Sequence, residues 1–238
     1  MVKNVRTIDQ LVEEQLARWN RLRPKPKYGQ IKVCPVITIS REPGTGGTKI
    51  SMKLAETLGM DFISSQIIQK VAQSAQMSER VVATLDEKDV TLRDDWLKLL
   101  FDSQHLWPDK FLRHLTKVIN MVGLHGNAVI LGRGANFILP PEETFRIRLI
   151  APLEARVAMV MADRGSSRKA AEKYVFRTDF DRKAYIRKHF GADITDPSHF
   201  DIVVDTSRLG IRGTVETIKH AYKEWLRPET QRTTNNDG

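Results

Sequence analysis

The chain has little cysteine, few aromatic residues and no long hydrophobic segment. Cys34 is the single cysteine in 238 residues, so an intrachain disulfide is excluded. No apolar run approaches the ~20 residues that a membrane-spanning helix needs, and residues 1–6 lack the apolar core of a signal peptide. Aromatic residues make up 7% of the chain, and there is little of the basic and aromatic interleaving that stacks bases. These absences predict a cytoplasmic globular protein.

Positive charge, in contrast, is in excess. Lysine and arginine total 38 against 29 aspartate and glutamate, a formal net charge of +9. Twelve of these cations lie between residues 146 and 188 (146, 148, 156, 164, 168, 169, 173, 177, 182, 183, 187 and 188), against five acidic residues (154, 163, 172, 179 and 181). Such an excess indicates an anionic partner, either nucleic acid or a phosphorylated small molecule.

Hydrophobic periodicity predicts an α/β fold for most of the chain. Short apolar or β-branched runs predict strands at residues 36–39, 61–63, 128–131, 145–150 and 200–204. Helical patterns lie between them, at residues 48–58, 66–123, 154–188 and 213–226. This alternation indicates a parallel sheet with helices on both faces, which binds ligands beyond the carboxyl ends of its strands. The loops after Ile39, Leu131 and Val204 are therefore expected to converge.

Two terminal segments are predicted to lie outside this domain, which we place at residues 31–227. Residues 1–30 contain an amphipathic helix at 7–20 and a stiff Pro/Lys linker at 23–27. We expect this helix to dock on the main domain or on a second copy of the chain. Residues 228–238 are polar and are expected to be disordered.

A glycine-rich turn follows the first strand, at Ser40-Arg-Glu-Pro-Gly-Thr-Gly-Gly-Thr48. Glycines between a strand and a helix let backbone N–H groups converge on an anion, and the helix N-terminus adds its positive dipole. The Walker A pattern, G-x-x-x-x-G-K-[ST], matches at Gly46 and Thr48. It fails at Arg41, where the first glycine belongs, and at Gly47, where the lysine belongs. The alternative is a tight βα turn without a ligand, in which Thr48 only caps the helix.

Three residues of this turn have predicted roles. The hydroxyl of Thr48 is a candidate Mg²⁺ ligand. Lys49 lies two positions past Gly47, the position of the Walker lysine, and therefore about 200° round the helix from it, so it should point away from the loop. Arg41 is the better source of the missing positive charge, because it lies within the loop and can contact phosphate in a bidentate manner.

Two further arginine motifs occur downstream. Gly132-Arg133-Gly134 follows a predicted strand, and the glycines leave room for a phosphate to approach the guanidinium. The pattern Arg177-x-Asp179-x-Asp181-Arg182 places carboxylates between arginines, which can orient them over a transferring phosphoryl group. The alternatives are a surface arginine in a turn and a solvated helix face.

Taken together, these segments resemble the cytidylate kinase-like family of nucleoside monophosphate kinase relatives. The resemblance is carried by residues 37–48, 129–136, 177–182, 185–191 and 201–206, in the family's order. It implies a three-layer P-loop kinase fold, with a parallel sheet flanked by helices, a helical acceptor-binding insert and a lid.

The resemblance also implies site residues and cofactors. It implies ATP and Mg²⁺ at Gly44, Thr45, Gly46, Gly47 and Thr48. It implies that Arg133 holds the acceptor phosphate, that Arg177 and Arg182 are lid arginines, and that Ser65 lines the acceptor site. The chain departs from true cytidylate kinases at Gly47, where they have lysine, and at Leu131, where they have aspartate.

The leading hypothesis from the sequence is an ATP-dependent kinase with Arg41, Arg133, Arg177 and Arg182 as catalytic residues. CMP or dCMP is the first guess for its acceptor. A non-catalytic nucleotide sensor with the same fold is the second hypothesis, and a basic nucleic-acid-binding module is the third. A homo-oligomer formed through the N-terminal helix is a further prediction, and no membrane partner is expected.

Overall fold

The structure is a computed structural model that describes residues 35–73 and 110–227, together with Gln10, Glu13, Glu14 and Ala17. Those four residues are helical and lie within the predicted helix at 7–20. The predictions for Cys34, for the linker at 23–27 and for residues 228–238 fall outside the described residues.

Five strands form one sheet, as the sequence predicts. They are β1 (Val36–Arg41), β2 (Asp61–Ile63), β3 (Ala128–Leu131), β4 (Thr144–Ile150) and β5 (Ile202–Asp205). Their order across the sheet is β2-β3-β1-β4-β5. Strands β1 and β3 pair in parallel, with Ile37 opposite Val129, and so do β4 and β5, with Ile147 opposite Ile202. Because consecutive strands are parallel, helices connect them, and the prediction of a P-loop-type α/β fold is confirmed.

The described helices alternate with these strands along the chain. They are α1 (Gly47–Leu58), α2 (Ser65–Gln73), α3 (Lys110–His125), α4 (Ala135–Ile138), α5 (Leu153–Arg164), α6 (Arg168–Phe190) and α7 (Thr206–Trp225), with 3-10 turns at Pro141–Glu143 and Pro197–His199. Among the described residues, none of these helices has the length and hydrophobicity that crossing a membrane requires.

Two predicted helices differ from the observed ones. The helical stretch predicted at 154–188 is two helices, because Gly165 is left-handed and the Ser167 side chain caps α6 by accepting from the Ala170 N–H. The last helix was predicted from 213 but begins at Thr206, where the Asp205 side chain accepts from the N–H of Ser207. Gly210 interrupts α7 with φ 63° and ψ −176°, so the prediction caught only the part beyond this kink.

The chain divides into two compact units. The first unit comprises residues 1–36 and 63–128, and in it α2 packs against α3. The second unit comprises residues 37–62 and 129–238 and holds nearly all of the sheet. Its core joins one face of the sheet to α1 and α7, through residues that include Ile37, Ile50, Val129, Ile147 and Ile218.

Candidate phosphate-binding site

The loop between β1 and α1 is shaped by two left-handed glycines. Gly44 has φ 83°, and a Cβ there would collide with the backbone carbonyl of Arg156, so this position accepts only glycine. Thr45 Oγ1 donates to the carbonyl of Glu42 at 2.9 Å, which closes the turn. Gly46, with φ 72°, is the N-cap of α1. The N–H groups of the first turn of α1 have no partner within the helix and point toward the loop, as a phosphate site requires.

Arg41 occupies the space that the Walker lysine would need. A Cβ at Gly47 would lie 2.9 Å from Cγ and 3.1 Å from Cβ of Arg41, so the aliphatic part of Arg41 passes over Gly47. Its guanidinium reaches Gly132, where a Cβ would collide with Nη1 of Arg41. The loops after β1 and β3 therefore meet through one side chain. The segment after β5 joins them, because Ile211 lies against Gly46.

Three of the sequence-predicted arginines act on one another electrostatically. Burial, together with the charges of Arg182 and Arg133, lowers the pKa of Arg41 to about 9. Burial also lowers the pKa of Arg182. The charges of Arg148 and Arg133 lower this pKa as well, whereas other nearby groups raise it. Nη1 of Arg182 donates to the carbonyl of Arg41 at 2.7 Å. Like charges held together and away from water are unfavourable until an anion joins them, so this group is poised to bind one.

A network of ion pairs and hydrogen bonds joins the loop to α5 and α6. Nη1 of Arg156 lies 2.5 Å from Oδ2 of Asp179, and its Nε lies 3.5 Å from Oε2 of Glu42. The same Nε donates to the carbonyl of Ala151 at 3.0 Å, and the Ala151 N–H donates to Glu42 at 3.1 Å. Arg156 is 9% exposed, so these bonds are shielded from solvent. Asp179 therefore orients Arg156, where the sequence suggested that it orients its neighbours Arg177 and Arg182.

Arg133 lies in an unusual backbone turn at the end of β3. Its φ of 58° is left-handed, as are those of Gly132 and Gly134 on either side. A Cβ at Gly134 would collide with the ring of Phe190, which stacks on Phe137 with a centroid distance of 5.3 Å. These rings hold the end of α6 against the turn. A non-glycine residue held in this conformation costs free energy, which is typical of a binding site.

Not all of the predicted site residues join this group. The side chain of Arg177 is 79% exposed and lies 3.9 Å from Asp181, one turn along α6. Thr48 is exposed on the first turn of α1. Ser65 begins α2 in the first unit, and its role at the acceptor remains a prediction. Lys49 points away from the loop, as predicted, and its Nζ contacts Asp163 at 2.6 Å.

The residues present fit a magnesium ion that arrives with a nucleotide. No group of three or more His, Cys, Asp or Glu side chains in residues 35–73 and 110–227 could hold a metal by itself. The two carboxylates beside the loop, Glu42 and Asp179, already pair with Arg156. Thr48 thus offers one hydroxyl, and Mg²⁺ commonly takes its other ligands from phosphates and water.

Several residues of the site were missed by reading the sequence. Glu42 was given no role within the loop, and Arg156 was noted only as one of the cations between residues 146 and 188. Arg148 was noted only as a basic residue in a strand, although it is 5% exposed. A parallel strand is buried on both faces, so an arginine inside β4 was the signal that could have revealed it. Tyr174 was also missed. Its ring lies 3.8 Å from the Arg164 guanidinium, and the phenol raises the pKa of Arg41.

Comparisons with known proteins identify the family to which the chain belongs. The model of the "Cytidylate kinase-like family" matches residues 36–208. A cytidylate kinase of Ignicoccus hospitalis is 28% identical over 185 residues, which cover 77% of this chain and 96% of the relative. A cytidylate kinase of Staphylothermus marinus is 24% identical over 194 residues, which cover 81% of this chain and 98% of the relative.

One solved structure shows the same fold. It is an uncharacterized protein from Eubacterium ventriosum, with a TM-score of 0.60 and 19% identity, and the match covers 79% of this chain and 98% of that one. The match to the family model spans every described strand and the whole arginine group. The chain therefore belongs to the cytidylate kinase-like family.

Proposed function

We propose that this protein transfers the γ-phosphoryl group of ATP to a nucleoside monophosphate, with CMP or dCMP as the first acceptors to try. The observation that carries this proposal is the group of Arg41, Arg133 and Arg182 beside a left-handed glycine loop at a helix N-terminus. Family membership supports it, as do the relatives named cytidylate kinase. A cytoplasmic location and an oligomer formed through residues 7–20 remain predictions.

On this proposal, the loop and Arg41 hold the donor. Backbone N–H groups between Gly44 and Thr48 would bind the phosphates of ATP. Thr48 would hold Mg²⁺ together with those phosphates, and the ion would neutralise part of their charge. Arg41 would supply the cation that lysine supplies in a Walker A loop, because its side chain covers the lysine position at Gly47.

The remaining arginines would act on the acceptor and on the group in transfer. Arg133 would hold the acceptor phosphate. Arg182 would close over the transferring group from α6, where it already bonds the carbonyl of Arg41. Arg177 would join them only if α6 moved when nucleotide binds, since its side chain is exposed. A phosphate acceptor is already anionic, so positioning and charge neutralisation would supply most of the catalysis.

A direct assay tests the proposal. The protein is incubated with MgATP and a panel of nucleoside monophosphates, and diphosphate products are separated and quantified. We expect the largest yield with CMP or dCMP. Absence of diphosphate with every acceptor would contradict the kinase proposal, and tight ATP binding in the same sample would favour a nucleotide sensor.

Two variants ask which cation replaces the Walker lysine. Arg41→Met should lower kcat/KM by about 10- to 100-fold, since a hydrogen bond to a charged group contributes about 1.5–3 kcal/mol. Lys49→Met is the matched control and should retain activity, because Lys49 contacts Asp163 on α5. The reverse pattern would assign the cation to Lys49.

A further inference from the structure

Two arginines lie on the same face of β4 but differ in their partners. Arg146 and Arg148 are two residues apart, and residues two apart in a strand point to the same side. Arg146 is paired with Asp201, through Nη2 to Oδ1 at 2.7 Å and Nε to Oδ2 at 3.3 Å. Arg148 is more deeply buried, at 5% exposure. Among the described residues, no carboxylate lies within salt-bridge distance of it.

The hydrogen bonding of Arg148 leaves donors to spare. Its Nη1 donates to Oγ of Ser40 at 2.9 Å, and its guanidinium lies 5.7 Å from the centre of the Phe200 ring. A guanidinium has five N–H donors. Burial lowers the pKa of Arg148, against a weaker opposing pull from Glu42 and Asp179. A buried cation without a paired carboxylate is costly in free energy. Binding of an anion would offset this cost.

The surroundings of Arg148 place that anion at the carboxyl edge of the sheet. Ser40 is the residue before Arg41 and ends the buried part of β1. Thr38 lies on the same face of β1 as Ser40, and its buried Oγ1 has no hydrogen-bond partner. Arg148 and Arg182 bond to consecutive residues of β1, Arg148 to Ser40 and Arg182 to the carbonyl of Arg41, and Arg148 also lowers the pKa of Arg182. Arg148 thus lies beside the group that Arg41 and Arg182 form at this edge of the sheet.

We propose that Arg148 is a phosphate-binding residue, with Ser40 as its positioning residue. Its free N–H donors would bind an oxygen of the phosphoryl group in transfer, together with Arg182. This inference rests on the proposed function for the identity of the ligand. The competing role for Arg148 is structural, as a counter-charge to Glu42 and Asp179.

The test compares Arg148→Met with Arg146→Met, because methionine keeps an unbranched apolar stem in both. Pyrophosphate is the probe, with its affinity measured by calorimetry and its effect on Tm by thermal unfolding. We expect Arg148→Met to weaken pyrophosphate binding by about 10- to 100-fold, the range for a hydrogen bond to a charged group. Without the probe its Tm should equal or exceed that of the wild type, since an unpaired buried charge is removed. Arg146→Met should lower Tm, because it removes the guanidinium that pairs with Asp201, and should bind pyrophosphate normally.

The outcomes separate this inference from the proposed function. Normal pyrophosphate affinity in Arg148→Met, or no pyrophosphate binding by the wild type, overturns the inference. Weakened binding together with no phosphoryl transfer by the wild type upholds the inference and overturns the kinase proposal. If Arg148→Met does not fold, Ser40→Ala decides, because it removes only the anchor of Arg148. Ser40→Ala should then weaken pyrophosphate binding several-fold, and an unchanged pyrophosphate affinity overturns the inference.

Discussion

Arg41 and Gly47 form a pair in which one residue occupies the space of the other. Placing lysine at Gly47 would restore the Walker A pattern at that position. In this chain, however, the new Cβ would lie 2.9 Å from Cγ of Arg41 and 3.5 Å from Oγ1 of Thr45. Lysine also adds a cation to a group whose members already repel one another. We therefore expect Gly47→Lys to lower activity.

The size of the effect follows from these two costs. Overpacking of a filled site costs about 1–3 kcal/mol, and Arg41 cannot swing into solvent without losing its contacts at Gly132. A loss of about 1.4–2.8 kcal/mol in transition-state binding corresponds to a 10- to 100-fold decrease in kcat/KM. Gly47→Ala adds only the Cβ, so it should show the steric part of this loss without the added charge.

A double-mutant cycle tests whether Arg41 and a lysine introduced by Gly47→Lys compete for the same space. Arg41→Ala removes the obstruction, so Arg41→Ala/Gly47→Lys should be at least 10-fold more active than the product of the two single effects predicts. That difference is a coupling free energy of at least about 1.4 kcal/mol, within the range of about 0.5–3 kcal/mol seen for residues in contact. The assays are kcat/KM for MgATP and Tm for all four proteins.

Two results would refute this reasoning. If Gly47→Lys retains wild-type kcat/KM while Arg41 is present, Arg41 does not fill the place of the lysine. If the two substitutions prove additive, the side chains do not compete for it. A gain in activity by Gly47→Lys alone would favour the nucleotide sensor.

Three further predictions concern the same loop. The charge of Arg41 is lost as pH rises through about 9, so pyrophosphate affinity should fall above that pH in the wild type and not in Arg41→Met. Because folding depresses this pKa, stability without ligand should rise over the same interval, and a flat pH profile from calorimetry and thermal unfolding would contradict both. Gly44→Ala should lower stability by on the order of 3 kcal/mol in urea unfolding, since its left-handed Cβ collides with Arg156. Asp179→Asn should raise the KM for MgATP several-fold, because it releases Arg156. Asp163→Asn, which breaks an exposed ion pair, should leave this KM unchanged.

Much of the fold was predictable because strands and helices leave local patterns. The runs at 61–63 and 128–131 were predicted at the bounds that the structure has, since β-branched and apolar residues in short runs favour buried parallel strands. The break at 165–167 and the early start of α7 were missed. Both depend on single caps, at Ser167 and Asp205, which a hydrophobic period does not reveal.

The site was predictable only in part. Glycines between a strand and a helix marked the loop, and arginines beside glycines marked Arg133. Which arginines come together could not be read from the sequence. Helix α6 carries both Arg182, which bonds the loop, and Arg177, which is exposed, and the two face different directions round the helix.

The sequence by itself determined the family, the parallel sheet and the place of the phosphate loop, because these depend on patterns of neighbouring residues. Only the tertiary structure decided that Arg41 covers Gly47, that Asp179 holds Arg156, and that Arg148 lies buried beside Ser40. These contacts join residues far apart in the chain. They depend on how the strands pair and on where each side chain is shielded from water. The spacing of residues along the sequence reveals neither.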